Sequence, residues 1–202
     1  MILDMVPSQR RAAHRPSRRH AILDAAMDLF AVQPPAAVTV ADIAAQAGMT
    51  PAAVYYHFPS KDGILLEALR IYSTELVAEV RRLVHDLPEG GTPGDLFAGL
   101  FTWLEERSAA SSVYFVSSVG ASLEIETVRM QIRTQLVLAF RRLVRRYRMS
   151  AAEGAVVATA MVATMETAAG SWLEQDTTFR GLGRRAFLDE VAAQVNRVAG
   201  RR

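Results

Sequence analysis

Apolar residues along this 202-residue chain recur at spacings of three and four, and nowhere do they alternate with polar ones as a half-buried strand requires. The pattern predicts an all-α fold of nine helices. The first three span 18–31, 40–47 and 51–57, and Ser60 caps a long fourth helix that runs to about residue 85. The breaker-rich run 87–94 (LPEGGTPG) ends it. A fifth helix follows over 95–107, Ser111 and Ser112 start a short sixth, and the last three cover 123–148, 151–176 and 184–199. The longest apolar run, 154–173, has about the length of a membrane span. It is built from alanine, threonine and methionine and is interrupted by Glu166, so it reads as a buried helix and no membrane partner is expected.

Within this pattern, residues 39–58 (TVADIAAQAGMTPAAVYYHF) spell two short helices joined by a tight turn. Thr39 is placed to cap the first helix with Asp42 as its capping-box partner, and Ile43, Ala44 and Ala47 form its apolar stripe. Gly48 supplies the positive φ that ends the helix. Thr50 followed by Pro51 is a cap and first-position pair that starts the second. Helices joined so tightly cross steeply, which calls for a small residue facing an aliphatic one, and Ala44 and Val54 have that character. The combination predicts a DNA-binding helix-turn-helix.

With the lead helix AILDAAMDLF (21–30) before it and VYYHFPSKD (54–62) opening the long helix after it, the region from about residue 18 to 69 resembles the N-terminal domain of the TetR family of bacterial transcriptional regulators. One departure is local. Where that family usually carries a glycine after the lead helix, this chain reads Gln33-Pro34-Pro35-Ala36. The resemblance implies three parts: a basic arm over 1–17, a DNA-binding domain over 18–72, and an effector-binding and dimerisation bundle over 73–202. The fourth helix crosses the boundary near Ser73 and is placed to transmit movement between domains.

The expected DNA-facing set is Thr39, Thr50, Pro51, Ala52, Ala53, Tyr55, Tyr56, His57 and Lys61. A recognition helix docked by its N-terminal end points Thr50, Pro51, Ala52 and Ala53 toward base edges. The resemblance implies that Tyr55, Tyr56, His57 and Lys61 lie near phosphates. Phe58 reads as core, and for Tyr55 core packing stays open. Lys61 is the single lysine of the chain. The net charge is only +2, yet Arg10, Arg11, Arg15, Arg18 and Arg19 face a lone Asp4 near the N-terminus. Two readings of that arm stay open, a solvated tail and a segment ordered by DNA.

One such module reads too few bases, so a homodimer on a palindromic operator is expected, with recognition helices about 34 Å, or a multiple of that, apart in the bound form. Its surface is assigned to the last two helices, on Ala155, Ala158, Ala163, Ala168, Ala169 and Gly170 and on Phe187, Leu188, Val191, Val195 and Val198, with packing of the same faces within the chain expected to account for part of them.

The second part carries no Gly-x-Ser-x-Gly elbow, phosphate-cradling glycine loop or His-Glu-x-x-His helix, so no enzyme is expected. The four histidines, His14, His20, His57 and His85, do not cluster, and there is no cysteine, so neither a metal, a cofactor nor a disulfide is expected. The N-terminus lacks an apolar signal core, and a cytoplasmic location follows as the expectation. Phe97, Phe101, Trp103, Tyr114, Phe115, Phe140, Met161, Met165, Glu166 and Trp172 form the candidate pocket for a small hydrophobic effector, by analogy with the family. Taken singly, each aromatic or methionine is first a core residue. Glu166 demands a partner or a proton, and an effector group, the dimer axis, Arg129 and Arg133 are all open to it. Arg141, Arg142, Arg145, Arg146 and Arg148 read as a solvated helix end rather than an anion site.

The resulting expectation is a repressor released from its operator by an apolar effector. Two other classes are weighed against it: an architectural DNA binder with a solid core, and an enzyme or carrier retaining the helix-turn-helix as a relic.

Overall fold

The computed structural model describes residues 17–174 and 181–200, which leaves most of the basic arm outside the described residues. Among them are nine α-helices and no strand: α1 (Arg18–Val32), α2 (Val40–Gln46), α3 (Pro51–His57), α4 (Lys61–Asp86), α5 (Pro93–Glu106), α6 (Ser108–Ser112), α7 (Leu123–Val144), α8 (Ala151–Leu173) and α9 (Gly183–Val198). A π-helical turn, Val113–Ser117, continues α6. The all-α expectation holds.

Local chemistry explains where most helices start. Ser17, Thr39, Thr50, Ser60, Thr92, Ser122 and Ser150 each accept a backbone N–H from the first turn of the helix they precede. At α5 the expected start is too late. Thr92 is the cap, closed reciprocally by Asp95 (Thr92 N to Asp95 Oδ2, 2.8 Å; Asp95 N to Thr92 Oγ1, 3.2 Å), and Pro93 occupies the first turn.

Two other boundaries move for tertiary reasons. Ser111 and Ser112 end α6 rather than start it. Ser111 is buried, its Oγ donates to Leu104 O (2.8 Å), and it lies 2.8 Å from the hydroxyl of Tyr72 on α4. The expected seventh helix ran to Arg148, yet α7 stops at Val144. Beyond it, Arg146 donates to Val84 O (2.9 Å) and Leu87 O (3.0 Å), satisfying carbonyls that the end of α4 leaves open.

One hydrophobic core runs through both halves of the molecule. Ile22, Ala26 and Phe30 of α1 meet Ile43, Ala44 and Val54 of the next two helices, and Ile64, Leu65 and Leu69 join them from the first turns of α4. Further along α4, Tyr72, Leu76, Val80 and Val84 face the bundle, where α4 packs on α7, α7 on α8 and α5 on α9. Fully burying a Leu, Ile or Phe side chain contributes about 1.5–3 kcal/mol, so this continuous seam on α4 joins the N-terminal helices firmly to the bundle.

Candidate DNA-binding surface

Three local devices shape the helix-turn-helix. Thr39 N donates to Asp42 Oδ2 (2.9 Å) and Asp42 N to Thr39 Oγ1 (3.2 Å), closing the capping box. Those bonds favour the ionised carboxylate and hold the Asp42 pKa below its usual value. At the far end of α2, Gly48 takes φ 65°, its N–H reaches Ala45 O (3.1 Å), and Met49 N reaches Ala44 O (2.8 Å). That pair of bonds is a Schellman ending, which needs a left-handed residue where Gly48 stands. Thr50 then accepts from Ala53 N (3.2 Å) and starts α3. Ala44 and Val54 are both fully buried at the crossing, as the pairing of a small with an aliphatic residue requires.

The face left outside is that of the expected contact set. Thr39, Thr50, Pro51 and Ala52 are exposed, and Ala53 and His57 are half-buried. Tyr56 is 86% exposed and Tyr55 56%, which removes core packing as the role of Tyr55; the Tyr56 ring meets His57 edge-on at 5.2 Å. Phe58 is buried, as core.

Two basic side chains turn inward. Arg19 donates through Nε to Glu67 Oε1 (2.9 Å), pairs a second time with the same carboxylate, and gives Nη1 to His57 O (3.0 Å) at the end of α3. Its guanidinium also lies 4.2 Å above the Phe58 ring. Lys61 Nζ donates to Pro35 O (2.6 Å) and Val38 O (2.7 Å), with Ala36 O at 3.5 Å. The Pro-Pro connection that replaces the usual glycine is a turn closed by Ala37 N to Pro34 O (2.9 Å). Sequence reasoning counted Arg19 among the basic residues near the N-terminus, and its placement in the first turn of a helix is the one signal of this inward role.

In the second part, Phe97, Phe101, Trp103, Tyr114, Phe115, Phe140, Met161 and Met165 are buried, while Glu166 and Trp172 are half-buried. They divide into clusters. Phe101 and Trp172 both meet Phe187 (5.8 and 5.0 Å between centroids), Phe97 meets Phe140 (5.8 Å), and Tyr114 meets Phe115 (4.8 Å). Burial pushes the Tyr114 hydroxyl up to about 12. Residues outside the expected pocket set add to the contacts around Tyr114 and Trp103 and toward α1. Tyr72 links Trp103 and Tyr114 (5.5 and 5.4 Å), Arg129 donates to Tyr114 O from above its ring, and Ser117 Oγ donates to Phe30 O of α1 (2.8 Å).

An open apolar groove of about 520 Å³ lies between α8 and α9, lined by Ala163, Thr167, Ala168, Leu182, Val191 and Gln194 among others. Of the apolar faces on the last two helices, Ala158, Ala169, Phe187 and Val195 are buried within the single chain, the part expected to pack internally. No helix among the described residues is long and apolar enough to cross a membrane.

A helix-turn-helix is held between a lead helix and a long helix shared with a second bundle. Residues 22–68 match the sequence model of "Bacterial regulatory proteins, tetR family", so the N-terminal part of the chain is similar to that family. It is 44% identical over 63 residues to the nucleoid occlusion factor SlmA of Marinobacter nauticus, covering 31% of this chain and 32% of that protein. It is also 40% identical over 67 residues to the HTH-type transcriptional repressor KstR2 of Rhodococcus jostii, covering 33% of each. These matches thus span about a third of the length of both relatives. The fold is shared more widely: a tetR-family regulator from Streptomyces coelicolor superposes with a TM-score of 0.71 at 19% identity, covering 90% of this chain and 79% of that one. The resemblance is to regulators, not to enzymes.

Proposed function

We propose that the chain is a transcriptional repressor that binds a palindromic operator as a homodimer and leaves it when a small hydrophobic effector enters the C-terminal bundle. The carrying observation is the outer end of α3. Its exposed Thr50, Pro51 and Ala52 sit beside two exposed tyrosines that no core contact explains. These are the groups a helix docked end-on in the major groove offers to bases and to the flanking phosphates. The reading set is small and apolar, so two copies are needed, and the groove between α8 and α9 is the surface that supports their pairing. Repression draws support from the printed function of the KstR2 relative.

The effector acts by population shift, binding better to a form in which the two recognition helices are wrongly spaced for DNA. Buried aromatics and methionines of the bundle favour an apolar ligand, and Ser117, bonded to the α1 carbonyl of Phe30, couples their neighbourhood to the DNA-binding domain. A regulator of this kind works in the cytoplasm. The architectural alternative keeps the same DNA-binding face but a bundle that takes no ligand.

Binding of the purified protein to the DNA upstream of its own gene, measured by fluorescence anisotropy at several salt concentrations against a scrambled duplex, tests the reading. A steep salt slope with a large preference for the native duplex supports it. Equal weak binding to both duplexes removes the operator-specific part and leaves the architectural alternative.

A further inference from the structure

The second helix of the helix-turn-helix is nearly bare of side chains that read bases by hydrogen bonds. Its seven residues, Pro51–His57, include no arginine, lysine, asparagine, glutamine, aspartate or glutamate, the groups that pair with the edges of guanine, adenine or cytosine. The hydroxyl of Thr50 just before it already accepts from Ala53 N (3.2 Å) as the helix cap. We infer that the protein reads its operator through the 5-methyl groups of thymines, with Ala52 as the specificity-determining residue that meets them. The inference rests on the DNA-binding reading above and adds which feature of the base pairs that surface selects.

Helix geometry singles out Ala52. At about 100° per residue, Ala52 and Tyr56 each stand about 160° around α3 from Val54, whose side chain is wholly buried. Ala52 and Tyr56 therefore share the outward face, and both are exposed on it. A lone methyl at Ala52 lets the helix approach the floor of the major groove, where the thymine methyl projects from its base pair. Two methyls in contact exclude water and leave no hydrogen-bonding group unpaired, which a longer polar side chain at this place would not achieve against thymine. Gln46 carries the nearest exposed side-chain amide before α3, but it stands on α2, the helix that crosses the phosphate backbone in this docking.

The test uses the full chain and the duplex that the wild-type protein enriches from a random-sequence pool. Each thymine of one half-site, together with its symmetry mate, is replaced in turn by deoxyuridine, which keeps the pairing edge and the O4 acceptor and lacks only the 5-methyl. At one or two positions the replacement is expected to weaken binding about fourfold per half-site, on the order of tenfold for the symmetric pair. In Ala52→Gly the same replacement is expected to cost nothing, whatever the overall affinity of the variant, because the ratio between the two duplexes cancels effects on folding. For the wild type the ratio is expected to stay constant across salt concentrations, since a methyl contact releases no counterions.

Equal affinity for thymine and uracil at every position overturns the inference while leaving the DNA-binding reading intact, with the operator then read by its shape. A uracil penalty that survives undiminished in Ala52→Gly moves the methyl contact to another residue and overturns the assignment of Ala52. Should Ala52→Gly not fold, Ala52→Ser, which sets a hydroxyl against the thymine methyl, carries the same comparison. Should the wild type enrich no duplex at all, the DNA-binding reading itself fails, and the inference falls with it.

Discussion

Arg133 on α7 reaches Glu166 on α8 with 3.0 Å between Nη1 and Oε2, so the carboxylate that interrupts the longest apolar run is paired across a helix seam within the chain. The pairing does not fully offset its burial. Burial raises the Glu166 pKa above the ordinary value, while the charges of Arg133 and then Arg129 pull it back. A carboxyl whose folded pKa lies above its unfolded one holds its proton more tightly in the native state. Its contribution is therefore complete below the unfolded pKa and is lost as pH rises through the folded pKa. Glu166→Gln abolishes that loss. The variant is expected to match the parent in thermal stability near pH 4 and to exceed it at pH 7, by less than about 1 kcal/mol because water screens this half-open site. A stability difference independent of pH would mean that burial does not govern this carboxyl.

Gly48 offers a backbone test free of packing, since a Cβ built there meets nothing within 4 Å while φ stays at +65°. Gly48→Ala is expected to cost about 1–2 kcal/mol from the left-handed conformation alone, and Gly48→Asn less, because asparagine tolerates that region. Urea denaturation of the two variants checks the order.

Gly94 is the opposite case, conformationally ordinary but crowded. A Cβ there would sit 2.9 Å from Ala192 Cβ and from Asn196 Nδ2, and 3.1 Å from Ala192 O, where α5 and α9 touch. The backbone of α9 cannot yield as a side chain would, so Gly94→Ala is expected to lose about 1–3 kcal/mol. It would also disturb the bond from Gly94 N to Asn196 Oδ1 (2.9 Å). At Gly99 the tightest neighbour is Leu83 Cδ2 at 3.0 Å, the far end of a flexible side chain. Gly99→Ala is accordingly expected to be neutral or stabilising through better helix propensity. Denaturation midpoints for the pair separate the two kinds of glycine.

What could be read in advance follows the range of the interaction. The Thr39–Asp42 box, the Gly48 ending and the Thr50-Pro51 start are decided within a few residues, and the structure places each where the sequence puts it. Lys61 was legible as a cation at the start of a helix, but its partners lie more than twenty residues back, in a turn whose path the Pro-Pro departure obscured. Ser111 looked like a cap because serine usually is one; its hydroxyl instead bonds Tyr72, thirty-nine residues away, which no local rule foresees. The groove between α8 and α9 draws on residues of the expected faces, yet which of them the chain buries in its own core depended on helix rotation. Helices apolar nearly all round carry no signal for that.

Ser73, in the first half of α4, is wholly buried, and among the described residues its Oγ has no hydrogen-bond partner. A hydroxyl taken from water without compensation costs stability. Ser73→Ala is expected to raise the thermal midpoint, by up to about 1–2 kcal/mol in stability. A loss instead would mean that the hydroxyl is satisfied in solution by a group the packing conceals.

Tyr56 and Phe58 stand two residues apart at the end of α3 and should fail in opposite ways. Phe58 is 3% exposed, so Phe58→Ala is expected to lose about 3–5 kcal/mol of stability and to abolish DNA binding as a consequence of unfolding. Tyr56 is 86% exposed, so Tyr56→Ala is expected to leave stability within about 0.5 kcal/mol of the parent. Its effect belongs to the complex: a hydroxyl that donates to a phosphate contributes about 1.5–3 kcal/mol, equivalent to a tenfold or greater loss of affinity. That loss should be the same on the preferred duplex and on a scrambled one, because phosphate contacts carry no sequence information. Anisotropy titrations of Tyr56→Ala against both duplexes decide the matter. A loss confined to the preferred duplex would move Tyr56 from the backbone to a base edge, and no loss on either would remove it from the DNA-binding surface.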